Sequence, residues 1–261
     1  MSRRFKNLSL LLGPLAVALV PLLLLAQPPL FNYAPGARQA TRQVSGVQAP
    51  TSVRGSAAFS PTDIAGLQIF YDARRLAGFN DGDAVATVSD LSGNSRDATQ
   101  GTASKRPLYK TNVYGSDPAL LFDGVDDALG LTNYLPGNNY TMVAVFSGTV
   151  IFPVGGSANF WFYSSPGMLV FSHLGYYNVT VGALTSKTVM VLRSNAGTVT
   201  FRKNAVDQTL GSLTAFAQTP SIDGVGFANV SAYHNGHIGA VLLWNTALTD
   251  AQIVQVEGYL Q

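Results

Sequence analysis

Apolar and polar positions alternate along much of this chain, and turn residues interrupt the alternation every few positions. Leu67-Gln-Ile-Phe-Tyr-Asp72 predicts a strand with Leu67, Ile69 and Tyr71 on one face, because successive strand side chains point to opposite sides. Ala119 to Phe122 and Tyr140 to Phe146 are apolar on both faces, as expected of strands covered on both sides. Phe160 to Tyr163 and Met168 to Phe171 follow, bridged by Ser164-Ser-Pro-Gly167. Next come Thr188 to Leu192, a turn at Asn195-Ala-Gly197, Val199 to Arg202, a turn at Lys203-Asn204, and Val206 to Leu210. Ile238 to Trp244 is the last strand, and His234-Asn-Gly-His237 before it predicts a hairpin turn built on Asn-Gly. Strands this short and this closely punctuated predict an all-β sandwich.

The pattern changes at both ends. Thr249 is a helix N-cap with Gln252 placed for a capping box, and Ile253, Val256 and Leu260 fall on one face. A short amphipathic helix should therefore pack on the sandwich. At the other end, Leu8 to Ala26 carries no charge, follows Arg3, Arg4 and Lys6, and contains Pro14 and Pro21. Its length suits a retained anchor, since a membrane span needs about 20 apolar residues. Positive-inside logic then puts the sandwich outside the cytoplasm. Two other readings stand beside it: a cleaved signal peptide, whose cleavage rule Leu24 and Ala26 suit poorly, and a segment docked in a protein assembly. The expected organisation is a hydrophobic segment over 1–27, a Pro/Ala/Gly/Arg-rich linker or docking arm over 28–60, and the sandwich over 61–261.

Charge refines this picture. Residues 1–56 hold six basic and no acidic residues, whereas 57–261 hold ten basic against fourteen acidic. The excess of positive charge belongs to the arm, which could touch lipid, an acidic partner or virion proteins. The sandwich itself is acidic and gives no support to a nucleic-acid partner. There is no cysteine, so neither disulfides nor thiolate zinc sites are available.

Candidate chemistry lies in two acidic turns, Asp90-Leu-Ser-Gly-Asn-Ser-Arg-Asp97 and Phe122-Asp-Gly-Val-Asp-Asp127, separated by the basic Lys105-Arg-Pro-Leu-Tyr-Lys110. Their side chains can accept backbone N–H groups and fix the turns. If the turns lie side by side, Asp90, Asn94, Asp97, Asp123, Asp126 and Asp127 could instead converge on calcium, a hard cation needing six to eight oxygens. The lack of EF-hand spacing favours the first role. For sugars, Trp161 and Tyr163 share one strand face, Tyr176 and Tyr177 read as loop residues, and Asn138 and Asn139 lie in the Pro136-Gly-Asn-Asn139 loop. These six are the expected ligand-binding residues, since aromatic faces and amides suit a sugar ring and its hydroxyls.

The strand ending at Asp72, Asp81-Gly-Asp83, the DLSGN-x-RDA turn, the FDG-x-DD strand end and the closing Ile238 to Asp250 segment together resemble the laminin-G-like, concanavalin A-like lectin/glucanase superfamily, over roughly Ser60 to Gln261. That resemblance implies a jelly-roll sandwich and a calcium-binding habit. Its glucanase members carry Glu-x-Asp-x-Glu on one strand. Here the chain's single glutamate is Glu257 in the terminal helix, which argues against that enzyme. The expectation is a non-catalytic, surface-displayed module that binds glycans, with a virion capsid or tail appendage as the alternative and a glycan-active enzyme third. Display of many copies, or a homo-oligomer, would multiply weak single-site binding.

Overall fold

The computed structural model describes residues 58–150, 155, 162–165, 168–172, 175–180, 182–211, 214–215, 221–229 and 232–261. The predicted anchor and most of the predicted arm lie outside them, as does Trp161. Among the described residues no helix is long and apolar enough to cross a membrane. The strands in chain order are β1 (Leu67–Asp72), β2 (Thr87–Val88), β3 (Ala98–Thr99), β4 (Leu108–Tyr114), β5 (Asp117–Asp123), β6 (Leu129–Tyr134), β7 (Tyr140–Val150), β8 (Phe162–Ser165) and β9 (Met168–Ser172). Then follow β10 (Gly175–Thr180), β11 (Thr188–Asn195), β12 (Thr198–Lys203), β13 (Val206–Asp207), β14 (Thr214–Ala215), β15 (Ile222–Val225), β16 (Phe227–Asn229), β17 (Ala232–Tyr233) and β18 (Asn235–Trp244). The chain closes with helix α1 (Asp250–Leu260).

The main antiparallel sheet has the order β13-β12-β11-β7-β18-β5-β4, with β1 also on β18. β5 pairs with Asn235 to Ile238 of β18, and β1 with Ala240 to Trp244. The handover falls at a register shift between Ile238 and Ala240. Four-stranded ribbons, β15-β6-β3-β2 and β14-β10-β9-β8, form further sheets. Ile69, Phe122, Met142, Phe146, Leu192 and Leu243 of the main sheet share one buried cluster with Val88, Leu129, Val179 and Val225 from those ribbons. This cluster is the interior of an all-β sandwich.

On the other face, Val143, Val145, Val191, Leu242 and Trp244 pack with Ile253, Val256 and Leu260 of α1. The sheet is covered on both sides, which explains why β7 and β18 read as continuous apolar runs. Thr249 and Gln252 form the expected capping box. An eleven-residue helix is marginal alone. Burying its three aliphatic side chains, at about 1.5–3 kcal/mol each, is what holds it.

Two expectations need correction. A register shift in β1 between Leu67 and Ile69 turns Leu67 to the helix side, with Phe70, while Ile69 and Tyr71 face the interior. And Asn235-Gly236 is not a hairpin turn: it opens β18, opposite Val150 and Gly148 of β7. There the glycines let two backbones cross closely. A Cβ on Gly236 would sit 2.1 Å from the Ser147 carbonyl oxygen, and one on Gly148 would sit 2.2 Å from that of Asn235. Asn-Gly here serves a close approach, which the same dipeptide signals as readily as a turn.

Candidate functional site: a braced rim and an acidic turn

The first acidic turn is bolted to β1. Asp90 Oδ1 accepts the Phe70 and Ser92 N–H groups at 2.9 and 3.0 Å, and Oδ2 accepts the Ser92 hydroxyl at 2.7 Å and the Arg96 N–H at 3.1 Å. Asp97 accepts the Asp90 N–H at 2.8 Å, and the Asn94 amide donates to the Leu67 carbonyl at 2.9 Å. These three side chains hold a loop. They present Arg96, whose guanidinium lies 4.4 Å from the ring centroid of Tyr134 at the end of β6, while its carbonyl accepts the Tyr71 hydroxyl. Burial, reinforced by the Asp90 and Asp97 charges, holds that hydroxyl far above the ordinary tyrosine range.

The second acidic turn is self-contained. Asp123 Oδ1 accepts the N–H groups of Val125, Asp126 and Asp127 at 2.8, 3.3 and 3.4 Å, and Asp127 Oδ2 accepts the Asp123 N–H at 3.0 Å. Carboxylate oxygens of Asp123, Asp126 and Asp127 lie within 4.8 Å of one another. Burial, and then the neighbouring Asp123 charge, push the Asp127 carboxyl up to about 6. Lys105 reaches Asp126 at 3.8 Å. An all-oxygen donor set under mutual repulsion fits a hard cation.

The two turns do not converge. Phe70, which Asp90 grips, pairs with Leu242, whereas Asp123 pairs with Asn235 of the same strand. Those positions are seven residues apart on β18, or ~23 Å at about 3.3 Å per residue. Asp90, Asn94 and Asp97 therefore cannot share an ion with Asp123, Asp126 and Asp127.

The predicted ligand-binding residues are distributed as follows. Tyr163 lies in β8 and Tyr176 in β10, so Tyr176 and Tyr177 are strand residues and not loop residues. Tyr177 belongs to the interior cluster at 9% exposure, which leaves its ring no face for a sugar. Its register explains the placement: the Tyr177 and Val179 side chains fall on the same face, two residues apart, and both are buried. Asn138 and Asn139 do lie on an exposed loop at the rim where β7 begins and β11 ends. Ser194 donates its hydroxyl to the Asn138 carbonyl at 2.8 Å, and Asn139 Oδ1 accepts the Ala196 N–H at 2.6 Å. Two loops from different strands thus brace each other. At the same rim Asn245 follows β18, its side chain bonded to Tyr134 and its N–H to the Gly66 carbonyl at 2.9 Å.

His234 is fully buried, edge-on to Phe122 at 5.7 Å, and burial drops it to about 3, so it is neutral core. The carboxylates of the first turn are legible in the sequence, whereas the position of Arg96 against Tyr134 is not. Arg193 did carry a visible signal, as a lone cation closing the apolar run Thr188 to Leu192. Nothing in the sequence pointed from Arg96 to Tyr134.

No protein-family model and no curated protein sequence matches the chain. Solved structures do. Domain 4 of AbnA, a GH43 extracellular arabinanase from Geobacillus stearothermophilus solved with arabinotriose, is 18% identical at a TM-score of 0.51, over 73% of this chain and 98% of that one. The binding domain of Paraclostridial Mosquitocidal Protein 1 is 11% identical at 0.53, over 76% and 53%. Botulinum neurotoxin type C, whose way into cells depends on two ganglioside molecules, is 14% identical at 0.50, over 77% and 52%. The chain spans nearly all of the arabinanase domain and about half of each toxin chain, and what it shares with all three is the β-sandwich fold.

Proposed function

We propose that this chain is a non-catalytic glycan-recognition module displayed on a cell or particle surface. The observation that carries the reading is the braced rim: Asn138 and Asn139 are fixed against Ser194 and Ala196 before any ligand arrives. A preformed polar loop loses little freedom on binding, which is what a weak sugar site needs. The three similar folds come from proteins described as holding arabinotriose, as a binding domain and as depending on gangliosides, which supports the same class of ligand. The non-catalytic half of the reading draws on the carboxylates. Glu257 is buried in α1, 3.3 Å from Arg202, Asp123 and Asp127 spend oxygens on the N–H groups of their own turn, and Asp207 and Asp250 are each ion-paired, with Arg202 at 3.5 Å and Arg193 at 2.6 Å. A glycosidase needs its pair free across the scissile bond. A calcium ion held by Asp123, Asp126 and Asp127 would stiffen the far turn without entering any chemistry.

Screening the full-length chain against an array of neutral and acidic glycans tests this. Selective binding to a related subset is expected. A flat response across the array would overturn it and leave a structural role, such as decoration of a virion.

A further inference from the structure

Beside the braced rim, the end of β11, the start of β12, the stretch after β13 and the first turn of α1 enclose a groove of about 330 Å³. That is within the size of small-ligand sites, which begin at roughly 300 Å³. Half-buried Leu210 supplies apolar lining, and Thr200, Arg193, Asp207 and Asp250 the polar groups. Arg193 is held in place: Nη1 donates to Asp250 Oδ1 at 2.6 Å and to the Leu248 carbonyl at 3.0 Å, and Nε to the Thr200 hydroxyl at 3.2 Å. The Asp207 and Asp250 side chains, in contrast, are 84% and 78% exposed.

The charges around the groove are paired in a way that selects the ligand. Arg193 is answered by Asp250, and Arg202, at 3.5 Å from Asp207, is also 3.3 Å from buried Glu257. The one guanidinium lining the groove, Arg193, already has a carboxylate, as does the neighbouring Arg202, so a carboxylate, sulfate or phosphate on a ligand would meet exposed Asp207 and Asp250 with both cations already paired. Sugar hydroxyls suit the same carboxylates, which accept hydrogen bonds strongly. The half-buried Leu210 side chain suits the C–H face of a ring. We infer that this groove seats a neutral saccharide unit, a pentose or hexose with adjacent free hydroxyls; the inference rests on the glycan-recognition reading above and names the ligand class and its seat.

The test is titration of the full-length chain with neutral trisaccharides of arabinose, xylose, glucose and galactose, and with sialyllactose against lactose. Binding of at least one neutral sugar is expected, with Asp207→Ala and Thr200→Tyr weakening it about tenfold or more, the size of a lost charged hydrogen bond. If Thr200→Tyr disturbs the fold, as unfolding curves would reveal, Asp207→Ala on its exposed side chain still decides. Neutral-sugar binding unchanged in both variants would overturn the groove while leaving the recognition module standing. A gain in affinity from the sialyl group would overturn the neutral class. Loss of every sugar signal in the unmodified chain would overturn both.

Discussion

The Tyr259 hydroxyl donates to Asp72 Oδ2 at 3.1 Å, joining the end of β1 to the last turn of α1 across 187 positions. Arg74 completes the link. Its guanidinium grips the same carboxylate at 2.8 Å, lies 4.8 Å from the Tyr259 ring centroid, and donates to the Tyr259 carbonyl at 3.1 Å. Asp72 is 2% exposed, so these partners take the place of water around its carboxylate. Tyr259→Phe should cost about 1.5 kcal/mol, the low end for a hydrogen bond to a charged group. Asp72→Ala strands the Arg74 charge half-covered and should cost about 3 kcal/mol, the lower range for breaking a buried pair. Urea unfolding of the single and double variants checks both, and costs that simply add would mean the two residues are not coupled.

The acidic turn should leave a mark on the pH dependence of stability. Asp127 goes from 3.8 to about 6 on folding, so between pH 4 and 6 the native state keeps a proton that the unfolded chain has released, and its contribution falls as pH rises. His234 acts in the opposite sense: lowered from 6.5 to about 3, it adds stability as pH climbs through that window. Asp127→Asn removes the first effect and should steepen the rise in Tm between pH 4 and 6.

If Asp123, Asp126 and Asp127 hold calcium, millimolar calcium should raise Tm at pH 7 more than at pH 5, because proton and cation compete for Asp127. The increment should vanish in Asp127→Asn. An unchanged Tm would leave the three carboxylates their turn-fixing role alone.

Glycines separate into those under contact and those in open space. Gly236→Ala and Gly148→Ala should each cost several kcal/mol or prevent folding, because the added methyl meets backbone at 2.1 and 2.2 Å and neither strand can yield. Gly258→Ala should do the reverse. It sits exposed inside α1 with no atom within 4 Å of the new Cβ, so a gain of about 0.8 kcal/mol in helix propensity is expected. Thermal melts of the three variants separate these outcomes.

Much of the scaffold could be read from residue patterns because its causes are local. The capping box at Thr249 and Gln252, the apolar face of Ile253, Val256 and Leu260, and the two-sided burial of Tyr140 to Phe146 follow from periodicity that needs no knowledge of the rest of the chain. What escaped depends on register and on distant pairing. One shifted residue in β1 moved Leu67 across the sheet, and strand pairing turned Tyr177 inward. The groove pairs Arg193 with Asp250, 57 positions on, and the rim pairs Arg96 with Tyr134. Arg193 itself stands out at the end of its apolar run, but neither pairing has a local signature. Whether the carboxylates of the two turns converge is likewise a matter of distant pairing: six oxygen-bearing residues lie in two turns, and only the β18 register shows that the turns lie at different heights.

The proposed module recognises its sugar without turning it over. Incubating the full-length chain with an oligosaccharide that it binds, and following ligand contact by saturation-transfer NMR and ligand mass together, tests that claim directly. Transfer to the sugar protons with the oligosaccharide mass unchanged over a day is the predicted result. Shortened sugars in the same tube, absent from a chain-free control, would contradict it.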